Sequence, residues 1–233
     1  MKGRGAIDMN PKIDARLIFF HITERKWFIA RDPLHALGIP DQVNAQDNAG
    51  TGPGMGFATA LIGKTDDAVI GLIPAAEGGV PIAAYLADAK LYTRSLEMTR
   101  QAAELSAVKP PLRAILWLQG ESDATSQNQV DMYEARLLDL VDRYRRDLND
   151  PNLPFIACTV GSFIAERSKA KRFPFSKEIN DILLRLPEKR KFTACVDARD
   201  VKGHIGDELH YNSESQIEIG KRFADAYQEL LSR

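Results

Sequence analysis

Three short blocks hold groups that move protons or stabilise developing charge. In Gly206-Asp207-Glu208-Leu209-His210-Tyr211-Asn212 an Asp stands three residues before a His. In a loop, that spacing lets the carboxylate bend onto the imidazole, fix its tautomer and leave Nε2 as a general base. In Trp117-Leu118-Gln119-Gly120-Glu121-Ser122-Asp123 the Gln119 amide can donate to an oxyanion, and Glu121 and Asp123 can orient neighbours or cap the next helix. For Asp123, capping is the simpler reading. In Glu77-Gly78-Gly79 two glycines allow a backbone N–H to approach a ligand closely, although the block alone reads as a plain turn. Ser122 offers a hydroxyl but lacks the Gly-x-Ser-x-Gly elbow that exposes a nucleophile. The other histidines read as structural or solvated: His21 at a hairpin strand end, His204 in a Gly-flanked turn, and His35 in Asp32-Pro33-Leu34-His35. A metal-dependent site would draw on Asp207, His210 and Glu121, and no second histidine stands at ligand spacing. No metal or cofactor is expected.

Those blocks need elements to position them. Apolar runs at Ala68 to Pro74, Ala114 to Leu118, Phe155 to Val160 and Phe192 to Asp197 predict strands. Helical stripes at Gly54 to Ile62, Leu91 to Ala107, Asp131 to Leu148 and Lys177 to Leu186 alternate with them. That alternation is the pattern of βαβ units building a parallel sheet covered on both faces, an α/β fold. Ligands in such folds bind beyond the carboxyl ends of the strands, and all three blocks follow strands. Gln119, Gly79 and His210 are therefore expected to converge at one sheet edge, facing a cleft beside Met1. Ser213-Glu214-Ser215-Gln216 predicts a capping box for a last helix with Ile219, Phe223, Tyr227 and Leu230 on one face. Leu17 to Phe20 and Lys26 to Ala30 predict a small hairpin outside the main sheet. Gly38 to Gly56, rich in Gly, Asn and Asp, predicts a long surface loop.

Composition narrows the partner. The 233 residues read as one domain over 1–233, with 44% hydrophobic and 27% charged residues and no linker-like tract. Thirty-one basic and 32 acidic side chains leave a formal charge of -1, which gives no footprint for nucleic acid or an anionic membrane. A small or neutral molecule is the expected ligand. No apolar run approaches the ~18 residues of a membrane span, and Met1-Lys2-Gly3-Arg4-Gly5 is not followed by a signal-peptide core, which leaves the compartment open. Cys158 and Cys195 lie in strand-like runs without metal-ligand spacing and read as small hydrophobes, with a disulfide left open.

Together these segments resemble carbohydrate esterase family 6 and the sialate O-acetylesterase-like branch of the SGNH hydrolases, a group that includes acetylxylan esterase-like proteins. Trp117 to Asp123 is similar to the family's Trp-x-Gln-Gly-Glu-Ser-Asp block, and Asp207-Glu208-Leu209-His210 to its Asp-x-x-His block. Asp32 to His35, Gly52-Pro53-Gly54-Met55 with Phe57-Ala58, and Gly71-Leu72-Ile73-Pro74 leading to Gly78-Gly79 add to the match. The resemblance implies a three-layer α/β/α fold with a flavodoxin-like parallel sheet. It implies that His210 is the general base, Asp207 its partner, and Gln119 with a Gly78-Gly79 backbone N–H the oxyanion hole, with Glu121, Asp123 and His35 in support. Val80 and Leu86 depart from the family's Thr/Ser and Trp, which touches substrate preference.

The family's first block, Gly-Gln-Ser-Asn-Met, commonly runs into Gly-Arg-Gly, and this chain opens Met1-Lys2-Gly3-Arg4-Gly5. The resemblance thus places the nucleophilic serine two residues upstream of Met1, together with the central strand that presents it. The implied function is a serine esterase removing acetyl groups from a small-molecule or oligosaccharide ester such as xylan or an acetylated sialate, with the chain as given impaired. The alternative is a non-catalytic carbohydrate-binding protein that keeps the cleft.

Overall fold

Aromatic and branched residues concentrate in the runs that become strands. The structure, a computed structural model, describes residues 2–9, 11–38, 49–64, 68–106, 112–166 and 171–232. Met1, most of the loop expected from Gly38 to Gly56, and the Ala107 end of the second expected helix lie outside the described residues. Among the described residues the strands form two three-stranded sheets. In the first, β1 (Leu17–Phe20) pairs antiparallel with β2 (Trp27–Ile29) and parallel with β3 (Ile70–Leu72). In the second, β4 (Ile115–Trp117), β5 (Phe155–Cys158) and β6 (Thr193–Val196) run parallel in that order. Every residue of β5 is buried, as in a strand covered on both faces. No ladder joins β3 to β4 among the described residues.

The helices are α1 (Pro53–Ile62), α2 (Lys90–Glu104), α3 (Gln127–Asp147), α4 (Phe163–Glu166), α5 (Ser176–Leu184), α6 (Leu186–Lys189) and α7 (Ser213–Leu231). Helices α1 and α7 cover one face of the strands, α2, α3 and α5 the other, giving three α/β/α layers. The hairpin departs from expectation, because β1 is laddered to β3 and belongs to the same sheet. The reason lies in its side chains. Leu17 and Phe19 pack with Ala58 and Ile62 of α1, while Phe20 packs with Met98 and Ala102 of α2. A strand apolar on both faces has to be covered on both faces.

The start of α7 differs from expectation by one residue. Its cap is Asn212, whose Oδ1 accepts the Ser215 N–H at 3.0 Å, while the Ser213 hydroxyl donates to Ala6 O at 2.7 Å. Ser213 is diverted because the N-terminal segment lies against this helix end. That segment also bridges Gly5 to Thr51, whose hydroxyl donates to Ala6 O. Both cysteines are free thiols, and no described helix is long and apolar enough to cross a membrane.

Helices α1 and α7 meet backbone to backbone at two glycines. A Cβ on Gly56 would lie 2.5 Å from Ile217 O, and one on Gly220 would lie 2.4 Å from Pro53 O. Gly220→Ala should therefore cost about 1–3 kcal/mol or more through forced separation of the helices. Gly63→Ala, whose Cβ meets nothing closer than 3.6 Å, should change stability by less than about 1 kcal/mol. Thermal melts of both variants check this, and equal melting points would refute the close crossing.

Asp32 supplies a second expectation. Its Oδ1 accepts the Gly52 N–H at 3.3 Å, just before α1, and desolvation pushes its carboxyl up to about 7 against those backbone donors. The folded chain therefore keeps this proton over a range where the unfolded chain has released it. Stability falls as pH rises from about 4 to about 7 and then levels. Asp32→Asn should be the more stable protein at pH 8, by on the order of a few kcal/mol, and should lose that advantage below about pH 4. Denaturant melts at both pH values provide the comparison.

Candidate active site at the strand ends

The loop between β6 and α7 folds around its own polar groups. His204 and Tyr211 form an antiparallel bridge, and Ile205 N–H donates to His210 O at 3.0 Å. His204 Nδ1 accepts the N–H groups of Gly206 and Glu208, at 3.0 and 3.3 Å, which pins the backbone on both sides of Asp207. Gly206 and Glu208 take left-handed conformations, φ 100° and 55°, so the chain turns tightly enough for Asp207 to face back. Its Oδ1 accepts the N–H groups of Leu209 and His210 at 3.0 and 2.9 Å. Its Oδ2 lies 2.5 Å from His210 Nδ1.

Desolvation alone would raise the Asp207 carboxyl. The backbone N–H of His210, its imidazole and the Leu209 N–H outweigh it and hold the group below the usual carboxylate range. An ionised Asp207 needs a proton on Nδ1, which leaves Nε2 with a lone pair. The His210 side chain keeps 30% of its surface exposed, so that nitrogen is within reach of a ligand.

At the end of β4, Gln119 is held at every polar atom. Its Nε2 donates to Asp123 Oδ2 at 2.7 Å and to Val80 O at 3.1 Å, while its Oε1 accepts from the Tyr133 hydroxyl at 3.3 Å. Tyr133 shares that one proton with Gln119 O, the nearer acceptor at 2.9 Å. Asp123 does not cap α3, whose N-cap is Ser126. It accepts the Ile82 N–H at 2.8 Å instead, at the start of a 3-10 turn, Ile82–Tyr85. Helix capping thus fails as the account of Asp123 because the orphan donor it serves belongs to another element. Glu121 Oε2 accepts the Gly120 N–H at 3.2 Å. Desolvation raises its carboxyl.

The turn after β3 has most of its donors engaged. His35 Nε2 accepts the Ala76 N–H at 3.2 Å, and the Tyr85 hydroxyl accepts the Glu77 N–H at 2.8 Å. Gly78 N–H goes to Glu77 Oε1 at 3.3 Å. Gly79, at φ 72°, has open space where a Cβ would stand, and its N–H meets no acceptor among the described residues. Of the two glycines, Gly79 is the one with a donor to offer. Desolvation, reinforced by Lys2 and Arg94, pushes His35 down to about 3, so its ring is neutral and acts as an acceptor. Lys2 and Arg94 flank Glu77 at 3.7 and 3.6 Å.

The structure therefore joins Gln119 to the Gly79 turn directly, through Val80. His21 is buried, its Nε2 against Gly38 O and its Nδ1 accepting the Thr23 and Glu24 N–H groups. Ser122 lies in a 3-10 turn, Glu121–Asp123, and its carbonyl accepts from Thr125. Among the described residues no group of three His, Cys, Asp or Glu side chains could hold a metal ion. Tyr133 and Tyr85 were missed in the sequence. Tyr133 sits in the apolar stripe of α3, where its spacing signals only core, and its hydroxyl acts where the stripe meets a strand end.

A family model described as carbohydrate esterase, sialic acid-specific acetylesterase, matches residues 1–229. A probable carbohydrate esterase of Arabidopsis thaliana, At4g34215, is 30% identical over 204 residues, covering 87% of this chain and 71% of the relative. The solved structure of that Arabidopsis protein superposes with a TM-score of 0.81 at 29% identity, over 98% of this chain and 93% of that one. NanS, at 17% identity and a TM-score of 0.74, covers 99% of this chain and 93% of its own. XAC1771, a carbohydrate acetylesterase from Xanthomonas citri, covers 93% of this chain and 49% of its own at 23% identity, with a TM-score of 0.65. The last two likenesses concern the fold alone. With a family model matching residues 1–229, nearly its full length, the chain belongs to the sialic acid-specific acetylesterase family of carbohydrate esterases.

Proposed function

We propose that this site hydrolyses O-acetyl esters of a carbohydrate, with His210 as general base and Asp207 holding its tautomer. The observation that carries the reading is the 2.5 Å contact between His210 Nδ1 and an Asp207 carboxylate kept ionised by two backbone N–H groups. An imidazole so oriented can take a proton from an attacking hydroxyl at Nε2 and return it to the departing sugar oxygen. The family resemblance implies that the hydroxyl belongs to a serine. Charge then appears on the acyl oxygen, for which the Gly79 N–H, unengaged among the described residues, is a backbone donor and Gln119 the neighbouring amide. Acetate and a free sugar hydroxyl are the products.

One observation favours the second reading, a cleft that binds sugar without turnover: both Gln119 amide protons already have acceptors. The two readings separate in an assay of the 233-residue chain beside a form extended upstream by Gly-Gln-Ser-Asn, on an aryl acetate and an acetylated sugar. The extended form should turn over and be blocked by a serine-directed phosphonate, and binding without hydrolysis in both forms would establish the second reading.

In the active form His210→Ala should lower kcat by roughly 10³-fold or more with little change in melting temperature, because a half-exposed loop base contributes to the transition state rather than to the core. Asp207→Asn should lower kcat by about 10²-fold or more, since its NH2 opposite Nδ1 would drive the ring proton onto Nε2. Turnover by His210→Ala equal to the parent protein rules out His210 as base.

A further inference from the structure

We infer that Asp123 is a positioning residue for the oxyanion side of the site, one carboxylate oxygen fixing Gln119 and the segment 80–82 at a single separation; the inference rests on the acetylesterase reading above. Asp123 Oδ2 takes one amide proton of Gln119 at 2.7 Å and the Ile82 N–H at 2.8 Å. The second amide proton of Gln119 goes to Val80 O at 3.1 Å, next to Gly79. These bonds close a ring that runs from Asp123 to Gln119, across to Val80, along the backbone to Ile82 and back to Asp123. The ring spans the ends of β3 and β4, which no ladder connects among the described residues.

Burial makes this ring demanding. Asp123 has no exposed surface, and its Oδ1 has no hydrogen-bond partner among the described residues. A buried carboxylate with one oxygen unmatched is costly, and the bonds to Oδ2 offset that cost only while both donors stay in place. Moving either strand end would strand the carboxylate, so the arrangement favours one geometry.

The same ring resolves the difficulty that Gln119 has no free proton. The Val80 carbonyl is the neutral and longer partner of its amide. An oxyanion forming beside Gly79 is a stronger acceptor and can displace that carbonyl, since charge-assisted bonds are shorter and about twice as strong. Through the exchange the Asp123 bond keeps the amide plane from rotating, so the released proton stays directed at the place the Val80 carbonyl holds, next to Gly79. Gln119 donates, and Asp123 sets where it donates.

Asp123→Ala, Asp123→Asn, Gln119→Ala and the double variant Gln119→Ala/Asp123→Ala test this in whichever form hydrolyses acetyl ester. Asp123→Ala should lower kcat by about 10²-fold, the scale of losing one oxyanion donor, with KM within about threefold. Asp123→Asn, whose carbonyl can accept both donors from the same place, should stay within about tenfold of the parent protein. The double variant should be no more than about threefold slower than the slower single, because one residue acts through the other.

Additive losses, or parental kcat in folded Asp123→Ala, would overturn the inference. A measurement on the unmutated chain needs neither turnover nor a variant that folds. The Gln119 side-chain amide protons should exchange slowly with solvent by 15N NMR, and exchange as fast as that of an exposed glutamine amide overturns the inference as well. That spectrum separates failure of the clamp from failure of the acetylesterase reading, which the His210→Ala assay decides alone.

Discussion

A buried carboxylate links two sheets that share no ladder. Strands β3 and β4 carry the two segments on the oxyanion side, yet no backbone bond sets their relative height among the described residues. Within a sheet, ladder hydrogen bonds fix register to a fraction of a residue. Between these sheets the task falls to side chains: the shared core of Phe57, Trp117, Tyr133 and Phe155 brings them together, and Asp123 with Gln119 fixes the alignment of their ends. Apolar contact is strong but non-directional, so it cannot specify where an N–H points. A buried charge with two donors can.

Three carboxylates around the site show how surroundings divide one chemistry into separate roles. Desolvation raises Glu121 and Asp123 above the usual carboxylate range, because few donors compensate their transfer from water. Asp207 meets the same opposing effect, yet two backbone N–H groups and an imidazole reverse it. The outcome follows from the turn. With left-handed residues on either side of Asp207, and His204 holding the same backbone, the loop presents its own N–H groups to the carboxylate. The charge that orients the proposed base is stabilised by the segment that carries it.

The histidines illustrate the limits of reading chemistry from residue type. Three of the four accept backbone N–H groups: His21 from residues 23 and 24, His35 from residue 76, and His204 from residues 206 and 208. His21 and His204 brace loops far apart in the chain, whereas His35 supports the turn that ends in Gly79. His210 differs because its ring nitrogen faces a carboxylate rather than an N–H donor. From sequence, the Asp three residues earlier separates it from His21 and His204 but not from His35, which follows Asp32 at the same spacing.

What the sequence determined by itself is local. The apolar runs and their period placed the strands and helices within a few residues, and the Asp-x-x-His spacing allowed the Asp207 to His210 contact, because both groups lie on one tight loop. The last helix was legible down to its first turn, missing only that Asn212 caps it while Ser213 is taken by Ala6 from the far end of the chain. Tertiary structure decided everything that depends on groups distant in sequence. It placed the hairpin in the sheet with β3, because apolar residues on both faces of β1 needed two helices to cover them. It also turned Asp123 from a cap into a clamp, since Ile82, the partner of Asp123, and Val80, the partner of Gln119, come within hydrogen-bonding range only when the ends of β3 and β4 are brought side by side. Short-range patterns report the conformation of a segment, and they are silent on which buried donor a carboxylate forty residues away will meet.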